Sequence, residues 1–158
     1  MRIVLLLCVT TLFLAACDES RVSEQITDLD QRQWLVTDTP RFEFAIDDVT
    51  KQYNLYCNIR NSVAYPYSRF FFTYYLQDSS GVEIKKELRT EYLFDAKTGK
   101  PFGKSGIGDL YDHQFLLLKD YQFKNKGVYR VKFEQFMRMD TLSGILAVGL
   151  RVEKAGRK

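Results

Sequence analysis

The chain has 158 residues, about one ordinary domain's length and enough to bury a core without covalent staples. Its 23 basic and 20 acidic residues nearly cancel to a formal charge of +3, which excludes the strongly basic surface that nucleic acids demand. Three cysteines and one histidine leave little material for a disulfide framework or histidine-dependent catalysis.

Arg2 is followed by an apolar run from Ile3 to Ala16. The run is too short to cross a bilayer, which takes about 17–25 residues, and suits the core of a secretory signal peptide. It ends at Leu14-Ala15-Ala16-Cys17, which resembles a bacterial lipobox. In that motif the thiol accepts lipid, and small residues let the peptidase reach the backbone just before it. Residues 1–16 are therefore read as a lipoprotein signal peptide and Cys17 as the lipidated residue, anchored by more than one acyl chain, since one alone holds only marginally. The polar stretch "DESRVSEQITDLDQ" lacks a sustained apolar period, so residues 17–31 read as the lipidated cysteine and a tether, with a single domain over residues 32–158.

From Gln33 onward the period is two. "FEFAI" puts Phe42, Phe44 and Ile46 on one face, and "YNLYCNIR" aligns Tyr53, Leu55, Cys57 and Ile59. Cys57 has no partner once Cys8 is removed and Cys17 is acylated, and its place on that face marks it as a buried small hydrophobe. "SRFFFTYYLQ" is apolar on both faces, as in a central strand or one presenting aromatics outward. After the turn signals "DSSG" and "DAKTGKPFG", "DLYDHQFLLLKD" is the best candidate for a short helix. "YRVKFEQFM" alternates Tyr129, Val131 and Phe133 with Arg130, Lys132 and Glu134, and "AVGLRVE" alternates Val148, Leu150 and Val152 with Gly149, Arg151 and Glu153. About eight strands without βαβ spacing predict an all-β, antiparallel β-sandwich, jelly-roll-like or immunoglobulin-like.

Chemistry-bearing motifs are scarce. His113 has no serine or exposed cysteine in a nucleophile context, and Asp109 and Asp112 in "GIGDLYDH" match no EF-hand spacing, so no metal and no cofactor are implied. Glycines 103, 106 and 108 read as turn or bulge formers. Tyr65, Tyr67, Phe70, Phe71, Phe72, Tyr74 and Tyr75 form either core filling or an exposed platform for sugars or proteins; core filling is the preferred reading. An interaction surface, if one exists, is expected at Asp109, Tyr111 and Asp112, whose loop offers two carboxylates and a phenol. Glu134, Arg138, Arg151 and Glu153 are expected to pair across adjacent strands.

"YNLYCNIRN", "GIGDLYD", "GVYRVKFEQFMR" and "LSGILAVGLRVEK" follow one another in the order seen in the gliding-motility lipoprotein GldH family of Bacteroidetes, which the chain resembles from Phe42 to Lys154. It departs from the family pattern at "KPFG", where a tryptophan-containing turn is expected, at Ala147, an expected aspartate, and at Arg69-Phe70, an expected Asn-Leu pair. The resemblance implies a lipid-anchored envelope protein of the gliding machinery, itself coupled to type IX secretion and use of insoluble polysaccharides, with no catalytic site to carry over. The resulting expectation is a non-enzymatic structural or assembly component. It is held to the membrane through Cys17, meets envelope protein partners and no nucleic acid, and sits at the outer rather than the inner membrane, facing side open. A glycan-binding surface lipoprotein is the alternative; an envelope hydrolase has least support.

Overall fold

The computed structural model describes residues 20–156. The signal peptide and Cys17 lie outside the described residues. Within them, eleven strands form: β1 (Arg21–Asp28), β2 (Gln33–Leu35), β3 (Arg41–Ile46), β4 (Tyr53–Ser62), β5 (Arg69–Gln77), β6 (Glu83–Tyr92), β7 (Lys104–Ser105), β8 (Leu110–Tyr121), β9 (Gly127–Gln135), β10 (Thr141–Ser143) and β11 (Ile145–Lys154). The only helical element among the described residues is a 3-10 turn over Asp30–Arg32.

Two antiparallel sheets carry the long strands, in the orders β1-β11-β4-β8-β7 and β3-β9-β5-β6, while β2 and β10 pair as a separate ribbon. The chain changes sheet at every connection between long strands except the β5–β6 hairpin. That wrapping is a jelly roll, which settles the choice left open with an immunoglobulin-like sandwich. The strands expected from alternation, β3, β4, β5, β9 and β11, are all present, and the total of eleven exceeds the eight or so expected, with β1, β8 and the short β2, β7 and β10 among those the alternation did not announce.

Alternation fills the space between the sheets. Phe42, Phe44 and Ile46 of β3, Tyr53, Leu55, Cys57 and Ile59 of β4, and Phe70, Phe72, Tyr74 and Leu76 of β5 are all buried. Tyr129, Val131 and Phe133 of β9 and Val148, Leu150 and Val152 of β11 join them. Each large apolar side chain so placed contributes about 1.5–3 kcal/mol of transfer free energy. Phe133 packs between Phe42 and Phe72 at centroid distances of 5.9 and 6.0 Å. Trp34 of β2 stacks obliquely on Phe70 at 5.8 Å and donates its indole N–H to the Asp38 carbonyl, so the small ribbon closes one end of the sandwich.

Two expectations are corrected. The sequence predicts a tether over residues 17–31, yet Arg21–Asp28 is a strand in register with β11, from Arg21 opposite Glu153 to Asp28 opposite Ala147. It has no apolar stripe because it is an edge strand lying past the core. Its inward Gln25 reaches over to donate to the Glu43 carbonyl of β3 at 2.5 Å. "DLYDHQFLLLKD" is the long strand β8 and not a helix. Irregularities in its pairing with β4 set Leu55 opposite Leu118 and Tyr56 opposite Leu116, so Leu117 is an extra residue. Leu117 and Leu118 are consequently both buried, which breaks the period of two and imitates a helical spacing.

The β6 edge is guarded differently. Lys85, Glu87, Arg89 and Glu91 share the face of β5 that carries Leu76, Tyr74, Phe72 and Phe70. Arg89 binds Glu87 and Glu91 at 3.1 and 2.7 Å and donates to the Leu116 carbonyl of β8 at 3.2 Å, bridging the two sheets. Inward-pointing charge of this kind disfavours pairing with another chain.

Candidate interaction surface

Asp109 ends the tight turn between β7 and β8. The turn is closed by the Gly106 N–H on the Leu110 carbonyl at 2.9 Å, and the Asp109 carbonyl accepts from Val63 at 2.8 Å. Its side chain is exposed. Strand alternation then sends the next two expected residues to opposite faces. Tyr111 turns inward, edge-on to Phe94 at 6.2 Å. Asp112 turns outward and accepts two hydrogen bonds from Arg60 of β4, at 2.7 and 3.2 Å. The three residues share a neighbourhood without forming one constellation.

Asp112 belongs instead to a larger feature, the outer face of the five-stranded sheet. Glu24 of β1 accepts from Arg151 at 3.2 Å and from the Asn58 amide at 3.4 Å. Gln114 donates to Asn58 at 3.2 Å, and Arg151 and Tyr56 both donate to Glu153, at 3.0 and 2.8 Å. Of the expected pairings, Arg151 does bridge to a neighbouring strand, but to Glu24, and binds Glu153 along its own strand. Glu134 pairs with Lys132 of its own strand at 2.6 Å and accepts from Tyr75.

Above this ladder runs a groove of about 620 Å³. Its floor includes Asn58, Arg60, Asp112 and Gln114, and Tyr92 and Phe102 line it as half-exposed aromatic rings. His113 also lines it, from the buried side of β8. Its ring stacks on Phe115 at 5.5 Å, and its Nε2 has no hydrogen-bond partner among the described residues. Burial draws its pKa down to about 4, against a smaller opposing pull from Asp112. Gly103 closes over it so tightly that a Cβ there would sit 2.6 Å from Nε2.

Other candidates resolve into core. Tyr65, Phe70, Phe72 and Tyr74 are buried, and Tyr75 is clamped between Lys86 and Lys132 at 4.9 and 4.0 Å from its centroid. Of that run only Tyr67 is exposed, so it offers no platform. Cys57 is fully buried, and burial raises its thiol pKa well above the ordinary value. The residues missed in the sequence are Asn58, Arg60 and Gln114. The signal was present in the outward phase of "YNLYCNIR", where planar hydrogen-bonding groups recur at every second position.

The family profile described as GldH lipoprotein matches residues 21–152, a span running from the first residue of β1 almost to the end of β11. The chain belongs to the GldH lipoprotein family. A gliding motility lipoprotein GldH homolog of Christiangramia forsetii is 30% identical over 153 residues, covering 92% of this chain and 91% of the relative. The gliding motility lipoprotein GldH of Flavobacterium johnsoniae is 29% identical over 156 residues, covering 94% of each. Among solved structures, the VP2 subviral particle of infectious bursal disease virus aligns at a TM-score of 0.40 and 12% identity, over 88% of this chain and 34% of that one. The chain thus spans about a third of that viral protein, a likeness too distant to bear on function. For this GldH-family member, the matched span includes the outer-face ladder except Glu153.

Proposed function

We propose that the protein is a lipid-anchored, non-enzymatic component of the cell envelope with a structural or assembly role in gliding motility and its associated secretion machinery. The observation that carries this reading is the family match across the domain, preceded at once by the lipobox. Both relatives are named as gliding motility lipoproteins, which supports the gliding role. The lipid is held at Cys17, after cleavage of residues 1–16, and the outer membrane is favoured over the inner.

With Cys17 acylated, only Asp18, Glu19 and Ser20 separate the anchor from β1, and fully extended residues span at most about 3.6 Å each. The domain is then held against the bilayer by the starting end of β1. The turn carrying Asp109 lies at the opposite end of the sheet and points away from the membrane, where the exposed Asp109 is offered to an envelope protein, with Asp112 on the adjoining outer face and Tyr111 supporting the turn from inside.

Affinity capture of the tagged lipoprotein from gently solubilised membranes tests this. Gliding or secretion components are expected with the wild type and depleted with Cys17→Ser, which should also leave the membrane fraction. Recovery of no envelope protein by the lipidated form would overturn the assembly role.

A further inference from the structure

The outer face of the five-stranded sheet has properties that a purely protective surface does not need. Asn58 and Gln114 each offer both a donor and an acceptor, Arg60 and Lys104 donate, and Glu24 and Asp112 accept, all lining one groove. Two cations and two anions face each other there, so the groove presents no net field that would select a strongly charged ligand. Its volume of about 620 Å³ falls in the range of small-ligand sites. Adjacent strands lie about 4.8 Å apart, so the floor between β1 and β8 extends on the order of 15 Å, room for several linked small units.

The rim carries the second observation. Phe102 and Tyr92 stand 59% and 49% exposed beside this polar floor, where a core gains nothing from them. A third is His113, buried to 7% exposure with an unpartnered Nε2 at the wall beneath Gly103. A ligand suited to such a site combines groups that both donate and accept with flat apolar faces that lie on aromatic rings. Sugar rings have both: hydroxyls around the edge and C–H faces above and below.

We propose that this groove binds a neutral oligosaccharide across β1, β11, β4 and β8, with hydroxyls on Asn58, Gln114 and the Arg60–Asp112 pair and a ring face on Phe102. A peptide is the weaker fit, since an extended chain would seek a free strand edge for its backbone groups and not the face of a sheet.

The test is calorimetric titration of the purified full-length lipoprotein in neutral detergent with cello-, xylo-, malto- and chito-tetraose. A tetra-galacturonate and an unrelated extended octapeptide serve as the charged and peptide probes. At least one neutral tetraose is expected to bind saturably in the millimolar range or below. Phe102→Ala should weaken it about tenfold, the usual worth of a ring-stacking contact. Gln114→Ala should weaken it by a similar factor, while Phe136→Ala, an exposed aromatic outside the groove, should leave it unchanged. Absence of saturable binding by every neutral tetraose overturns the proposal. So does preference for the galacturonate or the peptide, or binding indifferent to Phe102→Ala and Gln114→Ala. Loss of membrane attachment in Cys17→Ser, which tests the assembly reading, has no bearing on these titrations.

Discussion

His113 couples the groove wall to acid. Its ordinary pKa of 6.5 falls to about 4 in the folded chain because burial disfavours the imidazolium. The unfolded chain therefore takes up this proton first, so the stability His113 contributes is fully present above about pH 6.5 and is lost as pH falls toward 4. Urea denaturation at steps across that window should show wild-type stability declining more steeply than that of His113→Gln; parallel declines would remove His113 as the cause. Arg60 and Asp112, by contrast, have side chains 42% and 44% exposed, so their ion pair is worth at most about 1 kcal/mol. Arg60→Ala should leave the unfolding midpoint nearly unchanged.

At the scale of elements, β1 depends on a neighbour and not on itself. Gly149 of β11 lies between Ile26 and Asn58, and a Cβ there would fall 2.6 Å from the Gln25 carbonyl and 2.9 Å from the Ile26 side chain. Gly149→Val should push β1 off the sheet, costing about 1–3 kcal/mol as overpacking does. Hydrogen exchange should show protection lost first over residues 22–28, with β4 and β5 retained; uniform loss would contradict a locally dependent β1. The same dependence explains why this strand was illegible in the sequence. β3, β4, β9 and β11 bury one face each and announce it by alternation, whereas β1 lies at an edge and has no stripe to read. The β8 helix expectation failed for the opposite reason, an extra buried leucine that disrupted a real alternation. The jelly-roll order was illegible because strand alternation specifies faces and not neighbours. Asp112 is legible from a loop motif, but its partner Arg60, and the Asn58–Gln114 pair beside it, come together with it only once β4 and β8 pair.

For the whole molecule, Cys57 is a reporter placed in the middle of the sandwich. It is 0% exposed and paired in register with Leu150 on one side and Phe115 on the other. Thiol-reactive dye should modify it only as fast as the entire domain opens, so labelling and global unfolding rates should coincide in denaturant; faster labelling would reveal a partial opening between the sheets. The attachment of β1 also sets how the molecule bears load. If Cys17 carries the anchor and a partner holds the far-end loops, as proposed, tension would run lengthwise along β1 against β11. Rungs from Arg21–Glu153 to Asp28–Ala147 then share the pull together, where a sideways tug would peel them one at a time. A strand with almost no apolar stripe, and little weight in the core, thereby becomes the member through which force between membrane and machinery would pass.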